Sequence, residues 1–288
     1  MRWDARKASE HKRINDGMNH PHRRVKGSSS PRAGPAGHRQ NLLIAALPSA
    51  DGCRLLAGCE PVEMQFGSIL CKQYGRIRHV YFPTGGFISL LTQLGNRPGL
   101  EVGLVGAEGA VGITLALGMP IAPVRAVVQG TGSALRIEAA RFSTELAKSP
   151  ALRTAMFRYI SVFMSQLAVT ATCVRFHTVE ARLARWLLMT RDQAGSDRFY
   201  LTQEFMAYML GVRRVGVTRA ARELSSRRLV SYIRGSIHIL DVRGLENAAC
   251  SCYASTKEAY TRFMRPPRRG AHPTSTRQPN QGCALLDN

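Results

Sequence analysis

The stretch LTQEFMAYMLGVRRVGVTRAARELSSRRLVSYIRGSIHIL, Leu201 to Leu240, decides how the chain is read. Thr202 suits the N-cap of a short helix through Leu210, because its hydroxyl accepts from a backbone N–H left free in the first turn. Gly211 can take the left-handed conformation that ends such a helix in a tight turn. A second helix then spans about Arg213 to Ser226. Two helices crossing steeply need a small residue where the backbones approach and apolar residues in the wedge between them. Ala207 stands four residues before the glycine, and Met206, Leu210, Val212, Val217 and Ala220 fall at the wedge positions. Agreement of this kind around one glycine is specific to a helix-turn-helix.

The outward face of the second helix is what remains: Arg213, Arg214, Val215, Thr218, Arg219 and Arg222. These include the N-terminal residues that meet base edges when such a helix lies in a DNA major groove. An arginine bonds guanine through two acceptors, for about 1–3 kcal/mol of discrimination, or clamps a phosphate. A solvated basic face would carry the same arginines but would not need the packing residues beneath them. LVSYI (Leu229–Ile233) and IHIL (Ile237–Leu240) then alternate around Arg234-Gly235-Ser236, which predicts a two-stranded hairpin with glycine at its turn. The hairpin adds a wing, and Arg234 at its tip is placed to meet phosphate.

Upstream, Val179–Gln193 (VEARLARWLLMTRDQ) reads as a helix ending at Ala194-Gly195-Ser196. Before it, Leu152, Met156, Tyr159, Phe163, Leu167, Thr170 and Val174 recur every three or four residues after a Ser149-Pro150 helix start. Ile160, Val162, Met164 and Val169 make that helix apolar on more than one side, and pairing with a second copy of itself would cover the excess. Between Pro61 and Ile137 the pattern changes to short apolar runs, among them VEMQF, HVYFPTGGFISLLTQL, EVGLVG, RAVVQG and SALRI. Such runs with closely spaced turns argue for an antiparallel sandwich or barrel. Gly103, Gly106, Gly109 and Gly112 in EVGLVGAEGAVG read as tight β-turns rather than a phosphate loop. NLLIAALP (Asn41–Pro48) is a short helix stopped by proline. Residues 1–40 and the tail from 254 to 288 are polar and basic, with too little apolar surface to offset ordering entropy, so both are expected to be disordered.

Charge follows this organisation. The chain of 288 residues has 40 Lys+Arg against 19 Asp+Glu, a net +21 that points to nucleic acid or an anionic surface. Residues 41–140 hold seven basic and six acidic residues, whereas 201–253 hold eight and four and 1–40 hold ten and three. A nearly neutral module precedes a basic one. The charged N-terminus lacks the apolar stretch of a secretory signal, and the uncharged run Gly109–Val124 is too short to span a bilayer and is broken by Gly and Pro. The expectation is a soluble cytoplasmic protein without membrane contact, its seven cysteines reduced.

With these elements in place, the chain resembles the Crp/Fnr superfamily of transcription regulators over about residues 41–253. GVRRVGVTRAARELSSRRLV carries the resemblance, with RHVYFPTGGFISLL, EVGLVGAEGAVG and CVRFHTVEARLARWLLM. The resemblance implies an α+β chain with an N-terminal β jelly roll of the cyclic-nucleotide-binding type over 41–148. It further implies a dimerisation helix over 149–178 and a winged helix-turn-helix over 179–253. A homodimer reading a near-palindromic DNA operator and contacting RNA polymerase follows from it. Arg214 and Arg219 match the family's base-contacting arginines, while Val215 replaces a glutamate that several members carry and cannot accept from cytosine. Cyclic-AMP-binding members hold the ribose with Gly-Glu and the phosphate with Arg-Ser. Aligned back from RIEAARF, those sites fall on Val111-Gly112 and Ala122-Pro123, with Arg125 nearby. A phosphate pocket without its arginine loses its charge-assisted bonds, so cyclic AMP is not the expected effector, and no cofactor is predicted.

Cys53, Cys59 and Cys71 are too widely spaced for the iron–sulfur motif of the oxygen-sensing branch. Cys173 with His177, and Cys250 with Cys252, each supply two ligands; packing, or a helix-end histidine, is the expected reading of both pairs. No nucleophile elbow, zinc-protease or P-loop motif supports an enzyme. The alternative is a small-molecule or redox sensor acting through protein partners, with only non-specific DNA binding.

Overall fold

The computed structural model describes residues 40–93, 95 and 99–264. The expectations for residues 1–39 and for the tail beyond 264 fall outside that range. The chain opens with α1 (Leu42–Ala45) and α2 (Ser49–Leu56). Asn41 is fully buried and caps α1 by accepting from the Leu43 and Ile44 N–H groups. Its amide donates to the carbonyls of Pro83 and Gly109, at 3.0 and 2.9 Å, which fastens the helix to the strands behind it.

Seven antiparallel strands follow: β1 (Glu60–Met64), β2 (Ile69–Cys71), β3 (His79–Pro83), β4 (Phe87–Thr92), β5 (Leu100–Val105), β6 (Arg125–Gly130) and β7 (Gly132–Glu138). They form two sheets, ordered β1-β7-β3 and β2-β6-β4-β5. Val80, Phe82, Ile88, Leu90, Val128 and Ile137 fill the space between them. The Gly103 to Gly112 series is not a run of turns. Gly103 lies inside β5, where an added Cβ would come within 3.1 Å of the Phe163 ring and 2.9 Å of Gln166. Gly106 and Gly109 do bound a turn, the Gly109 N–H donating to the Gly106 carbonyl. A side chain at Gly109 would collide with the Tyr159 hydroxyl. The period of three therefore records close approach to a helix at one end and a turn at the other.

After α3 (Ala139–Lys148), the long helix α4 runs from Pro150 to Phe176, with Ser149 accepting from Leu152 N–H as its cap. Its buried face is Leu152, Met156, Tyr159, Val162, Phe163, Thr170 and Cys173. Val174, expected on that stripe, is exposed instead, and Val162 and Cys173 take the inward positions. At 100° per residue Val174 shares the angle of buried Met156, so the neighbours decide: at this end of the helix Cys173 packs against Cys250 and Cys252. By length and composition α4 is the one helix among the described residues that could cross a membrane, but one side of it packs on the sandwich.

The C-terminal region contains α5 (Val179–Ala194), β8 (Arg198–Tyr200), α6 (Gln203–Leu210), α7 (Arg214–Ser226), β9 (Val230–Ile233), β10 (Ser236–Ile239), α8 (Val242–Ala248) and α9 (Cys252–Met264). The wing has three strands, ordered β8-β10-β9, rather than the two expected. β8 is only three residues long and pairs through Phe199 with Ile237, too short for its alternation to stand out. Residues 254–264, expected as part of the tail, are instead the body of α9. Tyr253 and Ala259 are buried and Tyr260 and Met264 pack on the sandwich core, an apolar stripe at helical spacing that outweighs the polar composition. Leu91 and Val127, from the four-stranded sheet, join the core of the C-terminal region with Trp186, Leu187, Met206 and Leu210. That sheet's outer face is thus where the second domain docks.

Candidate nucleic-acid interface

Local sequence builds the two crossed helices residue by residue. Thr202 accepts from the Phe205 N–H at 3.1 Å and starts α6. Gly211, at φ +63, ends it, and the Val212 N–H returns to the Ala207 carbonyl at 3.0 Å. A left-handed residue with that return bond is the glycine-dependent helix stop, which any other residue would strain. Met206, Ala207, Leu210, Val217 and Ala220 are buried in the crossing, joined by Met209, Ala221 and Leu224, while Val212 is half-buried. Arg182 was not singled out by sequence. It is buried on α5 and donates to the Leu210 carbonyl at the negative end of α6. Only the fold reveals this, since nothing local marks which α5 arginine turns inward.

Arg213 is the N-cap of α7 rather than its first helical residue, with extended backbone and no side-chain capping bond. Arg213, Arg214, Arg219 and Arg222 are exposed, and Val215 is 72% exposed. At 100° per residue, positions 214, 215, 218, 219 and 222 lie on one arc of the helix. Thr218 sits deeper than the others: its hydroxyl donates to Gln203 at 2.6 Å and contacts the Arg214 carbonyl, tying α7 to the start of α6. None of the four arginines makes a salt bridge among the described residues, whereas Arg227, just beyond the helix, pairs with Glu180 at 2.9 Å. The first turn of α7 holds no acidic residue. Cations at a helix N-terminus oppose its macrodipole, a cost that no salt bridge among the described residues offsets and that a phosphate would.

The wing turn places Arg234 (φ +49) and Gly235 (φ +86) between the paired residues Ile233 and Ser236. Two central residues at positive φ define a two-residue type I′ hairpin, so Arg234 stands at the tip in a conformation costly for arginine.

A cavity in the sandwich is lined by Cys71, Ile77, His79, Leu90, Val111, Gly112, Ala122 and Pro123, with Tyr159 and Phe163 of α4. Four of the five effector-pocket positions therefore come together. Arg125 does not line it. Its neighbours Val124 and Ala126 do, and strand alternation sends Arg125 to the other side. Among the described residues that line it, His79 is the one basic side chain, with Thr114 and Tyr159 the other polar ones besides Cys71.

Two carboxylates, buried Glu101 and half-buried Glu108, join the domains. Glu101 on β5 accepts from the Ser89 hydroxyl at 2.7 Å and from the Trp186 indole N–H at 2.9 Å. Burial pushes its pKa up to about 7, against the lowering effect of those two donors and of Arg185. Glu108 is likewise raised by burial and accepts from Gln193 of α5 at 3.2 Å. The two cysteine pairs also meet: the ligand atoms of Cys173, His177, Cys250 and Cys252 all lie within 4.8 Å of one another. They are one group of four, not two of two. Cys53, Cys59 and Cys71 enter no such group among the described residues.

Comparison with known proteins agrees with this architecture. Residues 181–248 match the family model of the Crp-like helix-turn-helix domain. A putative transcriptional regulator of the Crp/Fnr family from Eubacterium rectale superposes with a TM-score of 0.59 at 18% identity, over 72% of this chain and 96% of that one. The c-di-GMP-responsive global regulator CLP of Xanthomonas campestris gives 0.57 at 16% identity, over 67% and 99%. FixK2 from Bradyrhizobium japonicum gives 0.57 at 13%, over 67% and 98%. No curated protein matches the chain. Residues 181–248 thus carry a Crp-like helix-turn-helix domain, and the sandwich, long helix and winged domain together share the fold of these solved structures.

Proposed function

We propose that the chain is a Crp/Fnr-type transcription regulator, a cytoplasmic homodimer that lays α7 of each protomer in successive major grooves of a near-palindromic site. Arg214 and Arg219 read bases, Arg213 and Arg222 hold the flanking backbone, and Arg234 of the wing meets phosphate. The observation that carries this reading is the row of exposed arginines along one arc of α7, beginning at its positive end and without a salt bridge among the described residues. Val215 gives the second helical position an apolar contact, which suits a thymine methyl rather than cytosine. The domain boundaries at about 148, 178 and 253 separate the sandwich, the dimerisation helix and the reader. Support for the homodimer comes from α4, where Phe157, Met164 and Phe176 are exposed on the side turned away from the sandwich; Met164 is 64% exposed. A two-fold pairing of α4 would cover them and set the two readers one DNA turn apart. Contact with RNA polymerase belongs to the same reading. Among the described residues the cavity offers a cyclic phosphate no arginine, which supports an effector other than cyclic AMP.

The test is selection of bound fragments from randomised DNA by the purified chain at moderate salt. Enrichment of two inverted half-sites about 10 base pairs apart is the expected result. Salt-sensitive binding without enrichment would replace sequence reading by charge alone.

A further inference from the structure

Four side chains that lie far apart in sequence face one point. Cys173 is in the last turn of α4, His177 caps that helix, and Cys250 and Cys252 flank the corner between α8 and α9. The Cys173 and Cys250 sulfurs are 3.5 Å apart, and Cys252 Sγ is 3.6 Å from His177 Nδ1. A tetrahedral zinc ion has bonds of about 2.3 Å to sulfur and about 2.0–2.1 Å to nitrogen. Such an ion sets two sulfurs about 3.8 Å apart and a sulfur and a nitrogen about 3.6 Å apart. These two separations fall within a few tenths of an ångström of those edges, and all four donor atoms lie within 4.8 Å of one another. Packing alone accounts for buried cysteines as small apolar residues. It does not account for an imidazole nitrogen turned toward three thiols.

We propose that Cys173, His177, Cys250 and Cys252 form a closed Cys3His site for a zinc ion. Three thiolates around a divalent cation leave one net negative charge, and two arginines face it. Arg185 acts electrostatically on Cys173 and Cys252, and Arg182 interacts with Cys173 and Cys250. Val169 and Ala181 wall the cluster on its apolar side. A cleft lined by Gln166, Thr170, Cys173, Arg182 and Arg185 reaches it from outside and supplies an entry path. Four protein ligands leave no open position, so the ion is structural rather than catalytic. It clamps the end of α4 to the corner that follows the winged helix, across the joint at His177-Thr178 where α4 gives way to α5. The angle between the long helix and the DNA reader then depends on zinc, and on the reduced state of the three thiols.

The site is tested on the full chain, reduced and stripped of metal, by titration with cobalt(II). The expected result is saturation at about one cobalt per chain, with thiolate-to-cobalt charge transfer and the visible bands of a tetrahedral ion, both erased by zinc. Cys173→Ser and Cys252→Ser lose these bands at the cobalt concentration that saturates the parent. His177→Cys keeps a tetrahedral spectrum shifted toward all-thiolate ligation, which separates ligand loss from misfolding. Absence of the charge-transfer band, or an unchanged band in the two serine variants, overturns the proposal. So does binding that shows imidazole ligation alone, from the histidines of residues 1–39. None of these readouts involves DNA, so the site stands or falls apart from the proposed function.

Discussion

Replacing Glu101 by glutamine removes a loss of stability that the parent chain suffers as pH rises toward neutrality. The carboxyl group sits at the junction of the two domains, bonded to Ser89 and Trp186, with Gln129 beyond Ser89 and Arg185 acting on it from α5. Burial raises its pKa from 4.5 to about 7. Between those values the folded chain retains a proton that the unfolded chain has released, so stability falls with pH across this window and levels off above it. At about 1.4 kcal/mol per unit the full difference is roughly 3 kcal/mol. Glutamine keeps an oxygen for the indole N–H and cannot ionise. Urea unfolding followed by Trp186 fluorescence, in a Trp3→Phe background, measures both chains between pH 5 and 8. The two converge near pH 5, and by pH 8 Glu101→Gln is the more stable by up to roughly 3 kcal/mol. Glu108 contributes equally to both chains and cancels in the difference. Parallel stability curves over this range would refute the assignment of the raised proton to Glu101.

Arg214→Ala and Arg219→Ala each cost about 1–3 kcal/mol of preference for a selected site over a scrambled one; competition binding measures it, and unchanged preference in both removes α7 from the groove. Arg234→Asn keeps a residue tolerant of positive φ at the wing tip while deleting its charge. Binding then weakens evenly across sequences and the slope of log affinity against log salt falls by about one. Gly109→Ala drives a methyl group into the Tyr159 hydroxyl and destabilises the sandwich by about 1–3 kcal/mol in thermal unfolding. Arg182→Met leaves the Leu210 carbonyl without its charged donor and lowers stability by about 1.5–3 kcal/mol, read from denaturant midpoints.

What could be read from sequence, and what could not, divides along the range of the forces involved. The crossed helices were legible because each demand is local: a cap at Thr202, a left-handed stop at Gly211, a small Ala207 and wedge residues at fixed offsets, all within about seven turns of chain. The wing turn was legible for the same reason, since Arg234-Gly235 permits a type I′ hairpin whatever surrounds it. β8 and α9 were not, because three residues carry no period and a polar helix declares itself only against the surface it covers. The Gly103 series misled because glycine answers two different demands, a turn and a close approach, and only the position of α4 distinguishes them. The cysteines are the limiting case. Cys173 and Cys250 are 77 positions apart, and each pair taken alone offers half a coordination sphere. The spacing rules for metal motifs work when one hairpin or loop supplies all the ligands. Here α9 must first fold back along α4 before the four donors share a centre, so the chemistry of the site is a consequence of tertiary structure and has no local signature to find.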